Sequence, residues 1–288
     1  MSLFFVDNSC DLNPQQIKSL GIECFNLPVQ LEGKLMKYSQ DEDFDYQKFY
    51  SKVRKGMAVI NKAMTEKQYI DIFEPALNMG DDIIYVHASD NIANVAKLNS
   101  AKNKLLEKYL DRKFEIIDSK NFAAGHGGVC FKLALMYHNG SAIDEIVKES
   151  YDIKDSMAMY MVTDSLEPLS KSGVIDTNAV VGTALNIKSI VAIDIDGKMR
   201  LVEKVSGKKR ALSKIVQLIR QTGKNIADNL VVISSSCPES DNKFVEEQLR
   251  SYFGDDLKLI TYKMSPSNIA VVGGGTMSIA FNVHKKIH

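Results

Sequence analysis

KFEIIDSKNFAAGHGGVCFKLALMY, residues 113–137, is the stretch that decides the fold. It opens as a short apolar run, turns polar at Asp118-Ser119, and passes through small residues into a segment long enough for a helix. A strand that ends in polar residues and feeds a helix is half of a βαβ unit. Two further runs repeat its first half, SLFFVD (2–7) and DIIYVHAS (82–89). All three are continuously apolar rather than alternating, the pattern of strands covered on both faces of a parallel sheet. Between them, TEKQYIDIFEPAL (65–77) offers Thr65 as an N-cap and puts Ile70, Phe73 and Leu77 on one face, with Pro75 expected to kink or shorten the helix. NIANVAKLNSAKNKLLEKYL (91–110) is a longer helical segment.

Beyond about residue 158 the pattern changes to strand pairs, and KSIVAIDIDGKMRLVEKV (188–205) alternates on either side of Asp196-Gly197, a hairpin turn signal. A basic amphipathic helix (208–224), a strand (229–236), a helix (241–253) and a strand (257–264) follow. The expected class is α/β with two domains. Residues 1–160 form an N-terminal three-layer domain on a largely parallel sheet, and residues 161–288 a C-terminal domain of mixed or antiparallel sheet with helices. In open α/β sheets the loops leaving the carboxyl ends of strands form the ligand crevice, which here points to Asp7–Cys10, His87–Asn91 and Asp118–Gly128.

The bulk composition excludes several classes. Lysines and arginines number 36 and acidic residues 36, so no net charge supports a nucleic-acid or anionic-membrane binder. Cys10, Cys24, Cys130 and Cys237 lie far apart without a CxxC pair and read as reduced thiols of a cytoplasmic protein. No leader opens the chain and no apolar run approaches the roughly 18 to 20 residues of a membrane span, so the expectation is a soluble protein without membrane insertion.

The chemistry-bearing motifs are few. Backbone amides near Gly125, Gly127 and Gly128 could cradle an anion, but Cys130 stands where a dinucleotide fingerprint has its third glycine, and tight strand-to-helix packing is the alternative. The triple glycine at 273–275 is not followed by Lys-Ser/Thr at phosphate-loop spacing. There is no GxSxG, no HExxH and no His/carboxylate run at ligand spacing, so no catalytic set, metal or cofactor is expected. SSSCP (234–238) reads as a loop ending a strand. His284 and His288 sit at the tail and His138 near a helix end, whereas His87 and His126 occupy crevice loops, where an imidazole either meets a ligand or is held structurally.

Seven segments in order resemble the DegV family of bacterial proteins. They are VDNSCDL with GIECFNLPVQLEGK, NKAMTEKQY (61–69), HASDNIANV (87–95), IIDSKNFAAGHGG (116–128), LEPLSKSGVID (166–176), ALNIKSIVAIDIDGKMRLVEKVSGKKRAL (184–212) and GGGTMSIAF (273–281). The resemblance implies a two-domain α/β fold that binds one long-chain fatty acid in a tunnel between the domains, without chemistry of its own. It also implies, for some members, a role as the acyl-carrying subunit that presents the carboxylate to an ATP-dependent fatty-acid kinase.

This sequence departs from the family pattern at the expected head-group end. Val174 replaces an arginine, Val271 a histidine and Asn61 a threonine, while Ser89 is retained and the family's Lys-x-Arg has become Lys204-Val205-Ser206. The expected ligand contacts are Ser89, Asn61, Asp90, Asn91, His126, Gly125, Val174, Val271, Gly273 and Gly274, the glycines leaving room for the head group. Ser89 and Asn61 can still donate hydrogen bonds. The alternatives are a binder of a neutral amphiphile or other small molecule, and a small-molecule hydrolase using Ser89 and His126 with Asp118.

Overall fold

The computed structural model describes residues 2–36, 44–175 and 186–287. Asp176, Ala184, Leu185 and His288 of the segments quoted above lie outside the described residues. The first half runs β1 (Ser2–Asp7), α1 (Pro14–Leu20), β2 (Glu23–Phe25), β3 (Val29–Leu31), β4 (Lys34–Leu35), α2 (Tyr46–Arg54), β5 (Val59–Asn61), α3 (Glu66–Asn78), β6 (Asp82–His87), α4 (Ala96–Lys108), β7 (Phe114–Asp118), α5 (Ala123–His138) and α6 (Ile143–Ser156). The three apolar runs are β1, β6 and β7 of a parallel sheet in the order β2-β1-β6-β7. β4, β3 and β5 form a small antiparallel sheet of their own.

Local chemistry accounts for the element ends. Thr65 caps α3 in a reciprocal box with Gln68. The expected shortening at Pro75 does not occur: the ring removes one backbone donor near the end of α3, and the helix continues to Asn78.

The second half comprises β8 (Met157–Thr163), α7 (Glu167–Lys171), β9 (Ile187–Ile193), β10 (Met199–Ser206), α8 (Lys208–Thr222), β11 (Val231–Ser235), α9 (Glu239–Phe253), β12 (Leu259–Lys263), α10 (Pro266–Val272) and β13 (Met277–Asn282). They build a sheet in the order β10-β9-β8-β13-β11-β12, antiparallel except for the β11/β12 pair. The hairpin turns at Asp196-Gly197 as its sequence signal indicates, Gly197 taking φ +79°. The expected boundary between residues 160 and 161 falls inside β8, whose length from Met157 pairs with β13.

α5 is the shared layer between the two sheets. Its Val129, Cys130 and Leu133 pack with Phe4 and Val6 of the parallel sheet and with Met157, Val232 and Ala280 of the mixed sheet. The GHGG run lies inside this helix rather than in a loop. A Cβ at Gly127 would overlap the Cys10 carbonyl oxygen, one at Gly125 would overlap the Asn121 side chain, and one at Gly128 would press on Met157 at 3.1 Å. Close packing against both neighbours explains these glycines, and the carbonyl of Cys10 is an acceptor that repels an anion.

Candidate functional site: an apolar seam between the halves

Alternation along β8 and β9 sends Tyr160, Val162, Ile190 and Ala192 to the face covered by α8, and Met159, Met161, Val191 and Ile193 to the opposite face. On that second face the two halves of the chain meet. α2 contributes Phe49 and Tyr50, the segment entering α5 contributes Phe122, and α10 closes the cluster with Ile269, Val271 and Val272. Met161, Leu166, Leu169, Val191 and Met264 are 0% exposed, so no water-sized space lies beside them. Among the described residues the centre of the seam is therefore filled by its own side chains, while Val174, Ile92 and Val59 at its margin are half-buried.

Its two flanks are polar. On the α10 flank, Asn61 donates from Nδ2 to the Ser267 carbonyl at 2.9 Å, tying β5 to α10. Asp11 accepts from the Ser265 backbone N–H at 2.8 Å, from Ser234 Oγ at 2.5 Å and from Asn268 Nδ2 at 2.9 Å. Burial outweighs these three donors and pushes its carboxyl up to about 7. Tyr50 adds a hydroxyl donation to the Met264 carbonyl at 2.7 Å.

On the opposite flank the β9–β10 turn docks onto the loop after β6. Ser89 Oγ donates to the Gly197 carbonyl at 2.8 Å, and Asn91 Nδ2 to the Asp196 carbonyl at 2.7 Å. A Cβ at Gly197 would overlap Ser89 Oγ, so glycine is required here by close approach as well as by φ. His87 Nε2 lies 3.4 Å from Asp90 Oδ1. His126 is fully buried with Nδ1 3.1 Å from Ser119 Oγ, and burial pulls its imidazole down to about 4, neutral at physiological pH.

The ten expected contact residues thus divide. Val174 and Val271 pack in the seam cluster itself, and Asn61, Gly273 and Gly274 stand around α10. Ser89, Asp90 and Asn91 stand at the docked turn, with neighbouring Ile92 in the same cluster. Gly125 and His126 are buried in α5. Ser89 Oγ is engaged with the Gly197 carbonyl and His126 Nδ1 with Ser119 Oγ, so the two side chains bond to different partners.

The triple glycine is explained by protein neighbours. Gly273 caps α10 with φ +77° and its N–H donates to Ile269, Gly274 sits against Val53 and Arg54 of α2, and Gly275 against the carboxylate of Asp164. Asp164 in turn holds Lys188 at 3.1 Å and Lys208 at 3.0 Å. The close neighbours of these glycines among the described residues are Pro168, Val53 and Arg54 of α2, and Asp164.

Sequence reasoning missed Asp11 and the seam methionines. The signal for the latter was present in SMAMYMV (156–162), where methionine recurs at every second residue of a strand.

The family model described as "Uncharacterised protein, DegV family" matches residues 4–283. The chain belongs to the DegV family. A DegV domain-containing protein of Clostridium perfringens is 26% identical over 286 residues, covering 97% of this chain and 96% of the relative. Among solved structures, a DegV family protein from Ruminococcus gnavus, refined with vaccenic acid, superposes with TM-score 0.82 at 20% identity, over 97% of this chain and 99% of that one. The Fatty Acid Kinase (Fak) B3 protein of Streptococcus pneumoniae, loaded with linoleic acid, superposes with TM-score 0.81 at 18% identity, covering 98% and 100%. This DegV chain has, among its described residues, no helix long and apolar enough to cross a membrane and no group of three His, Cys, Asp or Glu placed to hold a metal.

Proposed function

We propose that this protein binds one long-chain acyl ligand between its two halves and carries it without acting on it, presenting it to an ATP-dependent fatty-acid kinase subunit. The observation that carries the reading is the apolar seam, built jointly by both halves and free of charged side chains at Val174 and Val271. The fatty acids held by the Ruminococcus and Streptococcus relatives and the kinase role named for the latter support it. A ligand entering the filled centre of the seam displaces side chains there. Met159, Met161, Met199 and Met264 suit it, since unbranched thioether side chains repack with little penalty. Burying a dozen methylenes would contribute about 10 kcal/mol, reduced by the loss of translational freedom and by the rearrangement. We place the carrier in the cytoplasm, where its four free cysteines stay reduced.

A second reading is favoured by the same two valines. An ionised carboxylate buried against Val174 and Val271 meets no cation from these two positions, whereas a neutral head group needs only hydrogen bonds such as the Asn61 amide offers. Native mass spectrometry of protein purified from a bacterial host tests binding itself: co-purified acyl chains are expected. An apo mass combined with no uptake of palmitate or oleate rejects the carrier. Titration with oleate and methyl oleate then separates the two readings, a preference for the ester supporting the neutral ligand.

A further inference from the structure

The face of the mixed sheet remote from the seam carries a groove. It has a volume of about 690 Å³ and runs between β10, α8 and α9. Lys209, Arg210, Lys214 and Arg220 line it against a single carboxylate, Glu203. In a chain whose acidic and basic residues balance at 36 each, four cations to one anion is a local surplus. Three of the cations are already placed: Lys209 lies 3.2 Å from Asp241 and over the Phe244 ring, Lys214 lies 3.3 Å from Glu203, and Arg220 lies over the ring of Tyr252. Arg210 is exposed and forms no ion pair or hydrogen bond among the described residues.

Two further features indicate what fits. Tyr252 is 51% exposed in the groove, and tyrosine and arginine side by side are the residue types enriched where protein partners dock. β10 is the edge strand of its sheet and contributes Glu203 and Val205 to the groove, so an extended segment has backbone groups to meet beside it. Small-molecule sites are mostly enclosed, whereas this groove lies open to solvent, and Ser213, Gln217 and Gln248 add neutral polar groups to its lining.

We propose that this groove is a docking surface for an acidic segment of a partner protein, seated with carboxylates toward Arg210 and Lys214 and an apolar residue against Tyr252. α8 and the sheet separate it from the seam, so docking leaves the acyl site unobstructed. The inference does not rest on the nature of the seam ligand.

The test uses the full chain and a fluorescent peptide of about twelve residues that alternates Glu or Asp with Leu. A neutral peptide with Gln and Asn at the acidic positions serves as control, and ATP and a single-stranded oligonucleotide as competing anions. Arg210→Glu combined with Gln217→Glu, both on the exposed face of α8, should weaken the acidic peptide at least tenfold, and raising salt should weaken the wild-type complex. Seam-ligand uptake by the double variant should equal wild type, which shows that the protein is folded. Acidic-peptide binding unchanged by the double variant, no binding even at low salt, or tighter binding of ATP or the oligonucleotide would each overturn the proposal.

Discussion

Single residues here act mainly through what lies within an atom's width of them. Gly127 faces a backbone carbonyl that cannot move without displacing the turn after β1, whereas Gly128 faces the flexible end of Met157. Gly127→Ala should therefore lower stability by about 2 to 3 kcal/mol and Gly128→Ala by less than about 1 kcal/mol, as read from urea midpoints at constant slope. Lys286 shows the same locality in charge. It is buried with its amine donating to the Lys120 carbonyl at 2.8 Å, and burial pulls it down to about 7, with Asp155, Asp118, Asp194 and Lys120 as its charged neighbours. Between about pH 7 and pH 10 the unfolded chain holds a proton on this lysine that the folded chain does not, so its contribution to stability increases as pH rises. Lys286→Met should flatten that increase, removing about 2 kcal/mol of the gain between pH 7 and 9. Denaturant melts at the two pH values would show it, and an unchanged slope would refute the assignment.

At the scale of elements, the contact that matters most is the β9–β10 turn seated on the loop after β6. Ser89, which the family pattern marks as a head-group residue, spends its hydroxyl on the Gly197 carbonyl. Gly197→Ala combines a positive φ with overlap on Ser89 Oγ and should destabilise by about 2 to 4 kcal/mol. Ser89→Ala loses one hydrogen bond and should cost about 1 kcal/mol, with little change in acyl affinity if its role is to fasten the turn. Thermal melts of both variants beside fatty-acid titrations would separate fastening from ligand contact. A large affinity loss at unchanged stability would return Ser89 to the head group.

For the whole molecule, the decisive property is that two sheets share one helix and meet across an apolar face. A ligand that enters this face stabilises only the folded state. At a hundredfold excess over its dissociation constant it should add about 2.7 kcal/mol and raise the melting temperature of delipidated protein by about 5 °C or more. Decanoate should raise it less than oleate if methylene burial drives binding.

The α/β class, the parallel strands, the hairpin at Asp196-Gly197 and the family itself were legible in the chain, because continuous apolar runs, turn dipeptides and motif order are local patterns. What the glycines at 125–128 and 273–275 approach was not legible. Glycine signals close approach without naming its partner, and the partners Cys10, Asp164 and α2 come from distant segments. Nor could the sequence decide that Ser89 faces a turn, that His126 is sealed in a helix, or that Asp11 gathers donors from residues more than two hundred positions away. Periodicity assigns a side chain to a face of its own element, and only the packing of one element on another determines what that face meets.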